Sequence, residues 1–445
     1  MSRHETIRRQ RIAVIGAGIA GLGAAWALSR QHDVTVFEAN AYPGGHSNTA
    51  EIDYDGTPIA VDTGFIVFND WNYPNLTRLF AHLGVPAIRS DMSFAVSVGD
   101  ARQPGQLEWS GSSIATLFAQ KRNLLSPRFH RMWRDILRFN RAAVADLESG
   151  RMAGLSLGEY LAASRYGDGF MLDYLLPMGA AIWSAPLAEM QAFPAETFAR
   201  FFRNHGLLSV NDRPQWYTVQ GGSRDYVRRL LADAGITLHL NRPVQAVARQ
   251  ADGIAVMGRT GFETFDRVVL ACHGDQALRL LGHHATAAER DILGCFRFQS
   301  NRAVLHRDER LMPVRRSVWA SWNYLSEPRR DLHRRVGLTY WMNRLQSIDD
   351  SRPLFVTMNP LRPPRQDKVF AEFDYEHPLF DRAAIAAQNR LPEIQGKDRL
   401  WYCGAWCRYG FHEDGLTAGL QVAAGLGAAL PFEPATAPPR LERVA

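Results

Sequence analysis

The first forty residues contain two short apolar runs separated by a stretch of small residues. Residues 12–15 (IAVI) and 34–37 (VTVF) are rich in β-branched side chains, which is typical of buried parallel strands. Residues 24–28, with three alanines and a leucine, indicate a helix whose small side chains face a sheet. The pattern therefore predicts a strand–helix–strand unit, the start of an α/β fold.

Glycines and one acid mark the turns of this unit. Gly16, Gly18 and Gly21 follow the first strand in the spacing G-x-G-x-x-G, and Glu38 ends the second strand. Gly16 permits a tight turn, Gly18 lets the backbone approach a pyrophosphate, and Gly21 allows close helix–strand packing. The helix N-terminus offers free N–H groups to phosphates, and Glu38 can accept hydrogen bonds from a ribose diol. A dinucleotide site is predicted, and Glu38 would repel the extra phosphate of NADP.

A second patterned region lies in the middle of the chain. The Gly-Gly-Ser turn at 221–223 precedes a predicted helix at 226–234. Alternating and β-branched runs then predict strands at 237–240, 243–247, 254–257 and 267–273. Near the C-terminus, residues 400–430 predict a strand, a glycine-bearing loop and a helix.

The clearest amphipathic element begins at Ser126 and Pro127, a good N-cap and first helical residue. Apolar side chains follow at the spacing of one helix face: Phe129, Met132, Trp133, Ile136 and Leu137. Arginines fall mostly elsewhere on the helix, with Lys121 and Arg122 just ahead. Two interpretations stay open. One is a core-facing helix with a solvated arginine face, which the pattern alone favours; the other is a basic helix at an anionic membrane surface.

Length and composition narrow the class of protein. A chain of 445 residues is too long for one compact core, so we expect two or more domains. It has 46% hydrophobic and 22% charged residues, contains no apolar stretch of membrane-spanning length, and has too short an N-terminal apolar run for a signal peptide. The four cysteines lack metal-ligand spacing, so we predict reduced thiols, no metal site and a cytoplasmic location. The net charge of +6 suits an anionic partner, but nothing else supports nucleic-acid binding, and we predict none.

The residues after Glu38 carry a family resemblance. Paired glycines, Gly44 and Gly45, are followed by an Asp-Thr-Gly-Phe segment containing Thr63, Gly64 and Phe65. This order resembles the flavin-containing amine oxidase and phytoene desaturase superfamily. The resemblance implies an FAD cofactor, with the paired glycines under the pyrophosphate and residues 63–65 against the flavin ring.

Other positions match the same superfamily. His46 stands where the family usually has an arginine after the paired glycines, Val244 matches the position whose backbone meets the adenine, and Gly404 follows the last strand. Gly415 and Leu416 match the start of a helix whose N–H groups face the flavin. Neither Cys403 nor Cys407 matches the family's attachment cysteine, so noncovalent FAD is expected.

The resemblance also implies a domain plan. We expect an α/β fold with a Rossmann-like, discontinuous FAD-binding domain and an inserted substrate domain of helices and mixed sheet. The FAD domain is predicted at 1–90, 205–275 and 392–430, the substrate domain at 91–204 and 276–391, and a mobile tail at 431–445.

Five strings are similar to a narrower bacterial branch of predicted NAD/FAD-binding proteins: PMGAAIWSAP (177–186), FQSNRAVLHRD (298–308), TYWMNRLQ (339–346), PLFVTMNP (353–360) and YGFHEDG (409–415). Genes of that branch commonly lie beside cyclopropane-fatty-acid-synthase-like methyltransferases, and members are implicated in desaturating methylated acyl chains towards furan fatty acids. The resemblance implies a fatty-acyl lipid substrate, a lipid methyltransferase as a candidate partner, and a place at the inner face of the membrane.

His412 and Glu413 are the candidates for a catalytic base or orienting group, because they directly precede the turn expected to contact the flavin. The alternative, which the pattern favours, is that both cap the following helix and hydrogen-bond locally. Phe411 matches a family position that can bear an aromatic ring beside the flavin. Residues 300–304 lack the lysine that amine oxidases place near flavin N5, which weakens the resemblance to that group.

The leading hypothesis is an FAD-dependent fatty-acyl desaturase or dehydrogenase, in which a hydride passes to flavin N5 and a proton leaves the neighbouring carbon. An amine or other small-molecule oxidase and a carotenoid-type desaturase are alternatives within enzymes. An alternative of another class is a non-catalytic flavoprotein that binds lipid or a partner enzyme.

Overall fold

The computed structural model describes residues 9–99, 107–209, 214–329 and 331–432. The tail predicted at 431–445 lies almost wholly outside the described residues. Within the described ranges the strands are β1 (Arg11–Ile15), β2 (Asp33–Phe37), β3 (Thr49–Tyr54), β4 (Thr57–Asp62), β5 (Phe68–Asn69), β6 (Ala87–Ser90), β7 (Phe94–Val98), β8 (Leu107–Ser110), β9 (Trp216–Val219), β10 (Ile236–His239), β11 (Ala246–Arg249), β12 (Ile254–Gly258), β13 (Gly261–Phe265), β14 (Arg267–Leu270), β15 (Arg297–His306), β16 (Trp322–Ser326), β17 (Val336–Trp341), β18 (Phe355–Met358), β19 (Val369–Leu379) and β20 (Leu400–Tyr402).

The α-helices and short helical turns connect these strands. They are α1 (Ile19–Leu28), α2 (Pro74–Leu83), α3 (Ile114–Leu117), α4 (Pro127–Glu148), α5 (Leu157–Ala163), α6 (Asp168–Phe170), α7 (Leu176–Trp183), α8 (Leu187–Ala192), α9 (Ala195–Asn204), α10 (Arg224–Asp233), α11 (Gly274–Leu281), α12 (Ala287–Leu293), α13 (Met342–Gln346), α14 (Arg382–Arg390) and α15 (His412–Gly425).

A parallel sheet forms the first layer, with the strand order β10-β2-β1-β14-β20. Its central strand places Val14 between Val36 of β2 and Val269 of β14, an all-valine row suited to a sheet covered on both faces. The five strands come from three separated parts of the chain. This arrangement confirms the predicted α/β fold with a discontinuous Rossmann-like unit.

Helix α1 is buried along its whole length and packs against α15. The two helices approach closely because glycines lie between them. A Cβ atom on Gly419 would lie 2.1 Å from the carbonyl oxygen of Ala20, and one on Gly23 would lie 2.7 Å from Leu416 Cδ1. The small residues of α1 predicted from the sequence are therefore used against a second helix as well as the sheet.

A seven-stranded mixed sheet forms the other large layer, in the order β19-β15-β18-β17-β16-β7-β8. It draws strands from both predicted insertions, since β7 pairs in parallel with β16. Helices from α4 to α9 share an apolar core with this sheet, in which Trp109, Phe170 and Phe198 are fully buried.

Three sequence expectations shift in the structure. The strand predicted at 267–273 ends at Leu270. The strand predicted at 243–247 begins only at Ala246, because Pro243 has no N–H group for a strand ladder. Helix α4 starts as predicted, with Ser126 Oγ accepting a hydrogen bond from Phe129 N at 3.3 Å. Its predicted apolar face is wrong for Leu137, whose residue surface is 45% exposed. Eight residues of helix place Leu137 about 80° around the axis from Phe129, beside the buried face rather than on it.

None of the helices in the described part of the chain has the length and apolar character needed to cross a bilayer.

Candidate functional site

The glycine turn after β1 is shaped by close backbone contacts. A Cβ on Gly21 would lie 2.0 Å from the carbonyl oxygen of Gly16, and one on Gly16 would lie 2.8 Å from that of Ala271. Gly18 differs, since a Cβ there would meet nothing within 4 Å. Gly18 is also the N-cap of α1 and has no side-chain cap. The open space therefore lies at a helix N-terminus with free N–H groups, which fits a pyrophosphate.

Glu38 is held at the end of β2 by two backbone N–H groups. Its Oε2 accepts a hydrogen bond from Ala17 N at 2.8 Å, and its Oε1 accepts one from Asn40 N at 2.9 Å. A carboxylate has about four acceptor positions, so capacity remains for the hydroxyl groups of a ribose. The buried carboxylate is thus held in place by the backbone at the end of β2.

The paired glycines cross directly beneath the first glycine turn. Gly44 N donates to the carbonyl oxygen of Ala17 at 2.7 Å. Gly45 has a φ of +58°, and a Cβ on it would lie 3.1 Å from Gly18 Cα. These contacts bring two predicted cofactor-binding segments together at the open face of Gly18.

His46 occupies the position where an arginine is usual in the resembling family. Its ring centroid lies 5.1 Å from that of Tyr375 and 5.3 Å from that of His377. Burial, followed by the proximity of His377, lowers the pKa of His46 well below its ordinary value, so the ring is neutral. Its Nε2 is enclosed and has no hydrogen-bond partner among the described residues. An unpaired buried polar atom costs about 1–3 kcal/mol, so this nitrogen fits a site completed by a bound cofactor.

A row of hydrogen-bonded polar side chains that ends at His377 is visible only in the structure. Arg302 N can only donate, so Asn359 Oδ1 accepts its hydrogen bond at 3.1 Å. The amide of Asn359 then donates to Asn301 Oδ1 at 2.7 Å, and Asn301 Nδ2 donates to His377 Nδ1 at 2.9 Å. Burial lowers the pKa of His377 to about 4, so its ring is neutral. A neutral ring that accepts at Nδ1 carries its proton on Nε2.

Asp62 anchors the predicted flavin-facing segment from behind. Its carboxylate accepts hydrogen bonds from Ser223 N at 2.9 Å, Ser223 Oγ at 2.8 Å and Thr49 Oγ1 at 2.6 Å. Burial raises the pKa of Asp62 to about 6, against the lowering effect of these hydrogen bonds. This carboxylate therefore joins the end of β4 to β3 and to the turn at 221–223.

Thr63 and Gly64 sit directly against the segment that follows the paired glycines. Thr63 Oγ1 lies 2.7 Å from the hydroxyl oxygen of Tyr375. A Cβ on Gly64 would lie 2.3 Å from the carbonyl oxygen of His46, so no larger residue fits there without a backbone shift. These predicted cofactor residues are brought together with His46.

His412 joins four chain segments at one point. Its ring stacks on Phe65 with a centroid distance of 3.8 Å and an interplanar angle of 11°. Its Nε2 lies 2.7 Å from the Tyr226 hydroxyl, which lies 2.5 Å from Ser47 Oγ. Burial lowers the pKa of His412 to about 3, which keeps the ring neutral. Since Nε2 is engaged, only Nδ1 is free to exchange a proton.

Glu413 belongs to the first turn of α15, and its carboxylate binds the start of α2. Its two carboxylate oxygens accept hydrogen bonds from Asn75 N and Leu76 N, each at 2.9 Å, in the first turn of α2. Burial raises the pKa of Glu413 to about 7. Asp414 caps its own helix by accepting from Phe411 N at 2.9 Å, and burial raises its pKa to about 6. Glu413 therefore caps α2 rather than the following helix α15, and its partners are distant in sequence rather than local.

The remaining predicted cofactor residues occupy several environments. Gly404 is pressed against an indole, since a Cβ there would lie 2.3 Å from Trp406 Nε1. Gly415 faces α1, with its would-be Cβ 3.0 Å from Ile19 Cγ2, and Leu416 is fully buried. Val244 packs at the edge of the core around β11 to β14. Gly415 thus contacts α1 just after the glycine turn, and Val244 packs on the core that contains Ile15 and Phe37.

An aromatic wall stands in front of α15. Phe411 stacks on Phe201 of α9, with a centroid distance of 4.9 Å, and His205 stacks on the same ring at 3.7 Å. Trp183 completes the wall, with its indole N–H donating to Tyr409 O at 3.2 Å. A small solvent-connected cleft of about 50 Å³ lies beside Phe201 and Phe411, between α2, α9 and residues 408–417, and polar side chains such as Arg408 and Glu413 also line it. The aromatic residues of α9 are indistinguishable in sequence from ordinary core residues, so only the fold identifies them.

Comparison with known sequences gives a family match over more than half of the chain. The model for "Flavin containing amine oxidoreductase" matches residues 19–293. AofH of Mycobacterium tuberculosis, provisionally named a flavin-containing monoamine oxidase, is 27% identical over 277 residues. That alignment covers 58% of this chain and 56% of AofH, so the match spans about half the length of the relative.

Solved structures with similar folds cover almost the whole chain. Cyclohexylamine oxidase from Brevibacterium oxydans IH-35A has a TM-score of 0.65 at 15% identity, covering 94% of this chain and 98% of that one. A CLA-producing fatty acid isomerase from P. acnes has a TM-score of 0.64 at 14% identity, with the same coverage. At these identities the likeness shows the fold alone.

Proposed function

This chain belongs to the family of flavin-containing amine oxidoreductases, and we propose that it is an FAD-dependent enzyme that desaturates a methylated acyl chain of a lipid. The membership confirms the predicted flavin cofactor and the oxidoreductase class. The glycine turn, Glu38 and the unpartnered nitrogen of His46 fit FAD, as described above. Three features of the structure support an acyl substrate.

The aromatic wall carries the proposal. Phe411 is partly exposed at the turn before α15, where the family resemblance puts the flavin, and it packs on the buried rings of Phe201 and Trp183. The wall continues into a core that contains Phe193, Phe198 and Phe202. Burial of apolar surface contributes about 25 cal/mol per Å², so such a wall favours a long hydrocarbon chain over a small polar molecule.

The two acidic side chains beside the aromatic wall, Glu413 and Asp414, already accept hydrogen bonds from backbone N–H groups. Both oxygens of Glu413 accept from the first turn of α2, and Asp414 caps α15. Burial raises the pKa values of both acids, so neither offers a ready carboxylate for an alkylammonium group. A neutral substrate suits these surroundings better than a cation does.

Strand β15 gives a second argument against amine chemistry. The family resemblance places a lysine in this stretch of amine oxidases, whereas Asn301 is the buried polar residue here. The chain has three lysines, Lys121, Lys368 and Lys397, and none lies on β15. The position is instead joined to His377 by a hydrogen bond.

Desaturation removes a hydride from one carbon and a proton from its neighbour, so that a C=C bond forms between them. When bound, FAD supplies the two-electron acceptor for the hydride. The side chains would align the acyl chain on the aromatic wall and exclude water. His412 is the candidate base or orienting group, and its Nε2 contact with Tyr226 would fix the ring orientation. It could accept a proton at Nδ1 only as the tautomer whose Nε2–H donates to the Tyr226 hydroxyl.

Amine oxidation is the second candidate, favoured by the sequence match to AofH. The two reactions differ in their substrates and can be separated in one assay. The purified FAD-loaded protein is mixed anaerobically with phospholipid bearing a methylated unsaturated chain, and loss of the oxidised flavin absorbance is followed. Mass spectrometry of the extracted chain then tests for the loss of two hydrogens.

Three controls complete the assay: the same headgroup with a straight saturated chain, a series of primary amines, and the Phe411→Ser variant. We expect bleaching with the methylated chain, much slower bleaching with the saturated chain, and a clear loss of rate in Phe411→Ser. A Phe262→Ser variant, on an exposed hairpin, is the matched control and should be unaffected. Bleaching by amines with no change in the lipid would instead establish the amine oxidase.

A further inference from the structure

The net charge of the protein is concentrated in one short segment. Residues 107–141 contain seven lysine and arginine side chains and two acids, a formal charge of +5, whereas the whole chain has +6. The two acids, Glu108 and Asp135, are buried. The surface of this segment therefore exposes cations without exposed carboxylates, a separation of charge that composition alone does not reveal.

Exposed apolar side chains lie on the same segment. Seven large apolar residues are exposed in the described part of the chain, and four of them belong to 107–141. Leu125 is 87% exposed, Ile114 80%, Leu124 51% and Leu137 45%. Single exposed apolar residues are ordinary, but four within one basic segment indicate a contact surface.

These residues are close in space as well as in sequence. The turn at 121–125 is joined to α4 by a hydrogen bond between the ring of His130 and the carbonyl oxygen of Leu124 at 2.7 Å. The end of α3 contacts the first turn of α4, with ring centroids of Phe118 and Phe129 5.8 Å apart. Leu137 lies along α4 beside Arg134, on a shallow groove. We call the exposed side chains of residues 114–141 the basic face.

Several cations of the basic face lack an acidic partner. Arg128 pairs with Asp173 at 2.6 Å and Arg138 with Asp135 at 2.9 Å. Among the described residues no ion pair involves the following four: Lys121, Arg122, Arg134 and Arg141. These four charges are available to a partner.

We propose that the basic face docks the protein on an anionic phospholipid bilayer, with Leu124, Leu125 and Ile114 inserted between headgroups and the unpaired cations on the phosphates. Leucine and isoleucine side chains gain free energy in the acyl boundary, and each nearby cation contributes about 1 kcal/mol at an anionic surface. A nucleic acid would use the cations but would leave the leucines exposed to water. A second copy of the chain would bring two basic faces together, which repel each other.

The arrangement differs from the interfacial helix considered from sequence. The apolar residues Phe129, Met132 and Ile136 of α4 are buried in the protein and cannot enter a bilayer. Docking uses the exposed turn before α4 and the side of the helix that carries Leu137. The inference is independent of the proposed substrate, since binding can be measured without turnover.

The test is co-sedimentation of the FAD-loaded full chain with vesicles of phosphatidylcholine alone or with about one third phosphatidylglycerol. Two variants address the face: Leu124→Ser/Leu125→Ser and Arg134→Glu/Arg141→Glu. Matched controls lie on distant exposed positions: Phe262→Ser, and Arg259→Glu/Lys397→Glu. Flavin content and melting temperature verify that each variant is folded.

We expect binding to the anionic vesicles only, weakened by raising the salt from about 0.1 M to about 0.5 M. The arginine variant should bind at least about thirtyfold more weakly, from two charges at about 1 kcal/mol each, and the leucine variant should also lose binding. The controls should bind like the parent protein. Absence of binding to either vesicle, equal binding by all variants, or a dimer in sedimentation that the leucine variant dissolves would each overturn the proposal.

Discussion

The region predicted to bind the nucleotide is shaped mainly by close backbone contacts, whereas the region proposed to bind the substrate is shaped by side chains. At the nucleotide end, Gly16, Gly21 and Gly64 stand where a Cβ would lie 2.8 Å or less from a carbonyl oxygen. At the substrate end, stacked rings such as Phe201 and Phe411 make the wall. The first region tolerates almost no change of shape, and the second can be refilled by other apolar side chains.

This difference separates cofactor binding from substrate choice. Backbone contacts with a pyrophosphate are the same for any enzyme that uses the dinucleotide, so they are compatible with many reactions. Ring faces set the shape of a pocket and therefore which molecule fits. Mutations at the two ends should accordingly change different measured quantities.

The largest effect is expected from the pair Gly21→Ala and Gly18→Ala. A Cβ at position 21 would lie 2.0 Å from a backbone oxygen, so Gly21→Ala should lower both the melting temperature and the FAD content. A Cβ at position 18 meets only open space, so Gly18→Ala should fold normally yet bind FAD at least about thirtyfold more weakly, through lost charge-assisted hydrogen bonds. Calorimetric melting and FAD titration measure the two quantities. Normal FAD affinity in Gly18→Ala would contradict the assigned pyrophosphate position.

Glu413 predicts a pH dependence of stability. Its pKa rises from about 4.5 in the unfolded chain to about 7 in the fold, because of burial. Between these values the folded protein binds more protons than the unfolded chain, so the stability from this group is full at low pH and falls as the pH rises through 7. The loss amounts to about 3 kcal/mol in order of magnitude.

Urea unfolding from pH 5 to pH 8 measures this slope. Glu413→Gln removes the titrating group, so its stability curve should be flatter than that of the parent protein. Asp414→Asn, with a pKa raised to about 6, is the matched variant and should flatten the curve over a lower range. Identical slopes in all three proteins would exclude Glu413 as the source.

His412→Gln tests the junction between the two ends. The variant loses the ring that stacks on Phe65 and its Nε2 contact with Tyr226. We expect unchanged FAD content and a fall in turnover of at least about tenfold, a typical loss for a removed general base or its positioning. Since the pKa of His412 is lowered to about 3, its titration should leave no step in the rate profile between pH 5 and 8. Tyr226→Phe is the control for positioning, and unchanged turnover in His412→Gln would remove His412 from the catalytic candidates.

Phe201→Leu should give the smallest effect. Loss of the ring stacked on Phe411 removes about 0.5–1.5 kcal/mol of folding stability. Because that ring supports Phe411, KM should rise modestly while FAD content and kcat stay near the parent values. Phe262→Leu, exposed on the β12–β13 hairpin, provides the control. A fall in FAD content in Phe201→Leu would contradict the division between the two ends.

The same division explains what could be predicted from the sequence. Gly16, Gly18, Gly21 and Glu38 perform local steric and hydrogen-bonding tasks within one strand–helix–strand unit, so their spacing alone identifies the site. The strand predicted from Pro243 was too long by three residues, because proline cannot join a ladder.

Contacts that form only through the fold have no spacing in the sequence that predicts them. His46, Asn301 and His377 belong to three distant segments, and their contacts depend on the register of β15 against β19. The aromatic residues of α9 follow helix periodicity, which predicts burial but not which neighbour they face. Leu137 was placed on the buried face of α4 because an eight-residue spacing is only approximately in phase with the helix.

The pairing of β20 with β14, and of α15 with α1, has a consequence for synthesis in the cell. The glycine turn at residues 16–21 emerges from the ribosome early, yet the strand and helix that complete its surroundings follow about 400 residues later. At about 5–20 residues per second the interval is roughly 20–80 s. During that time α1 lacks its covering helix, and β14, made about 130 residues before β20, has a free edge until β20 follows, so both surfaces are open to aggregation before the predicted FAD site is complete.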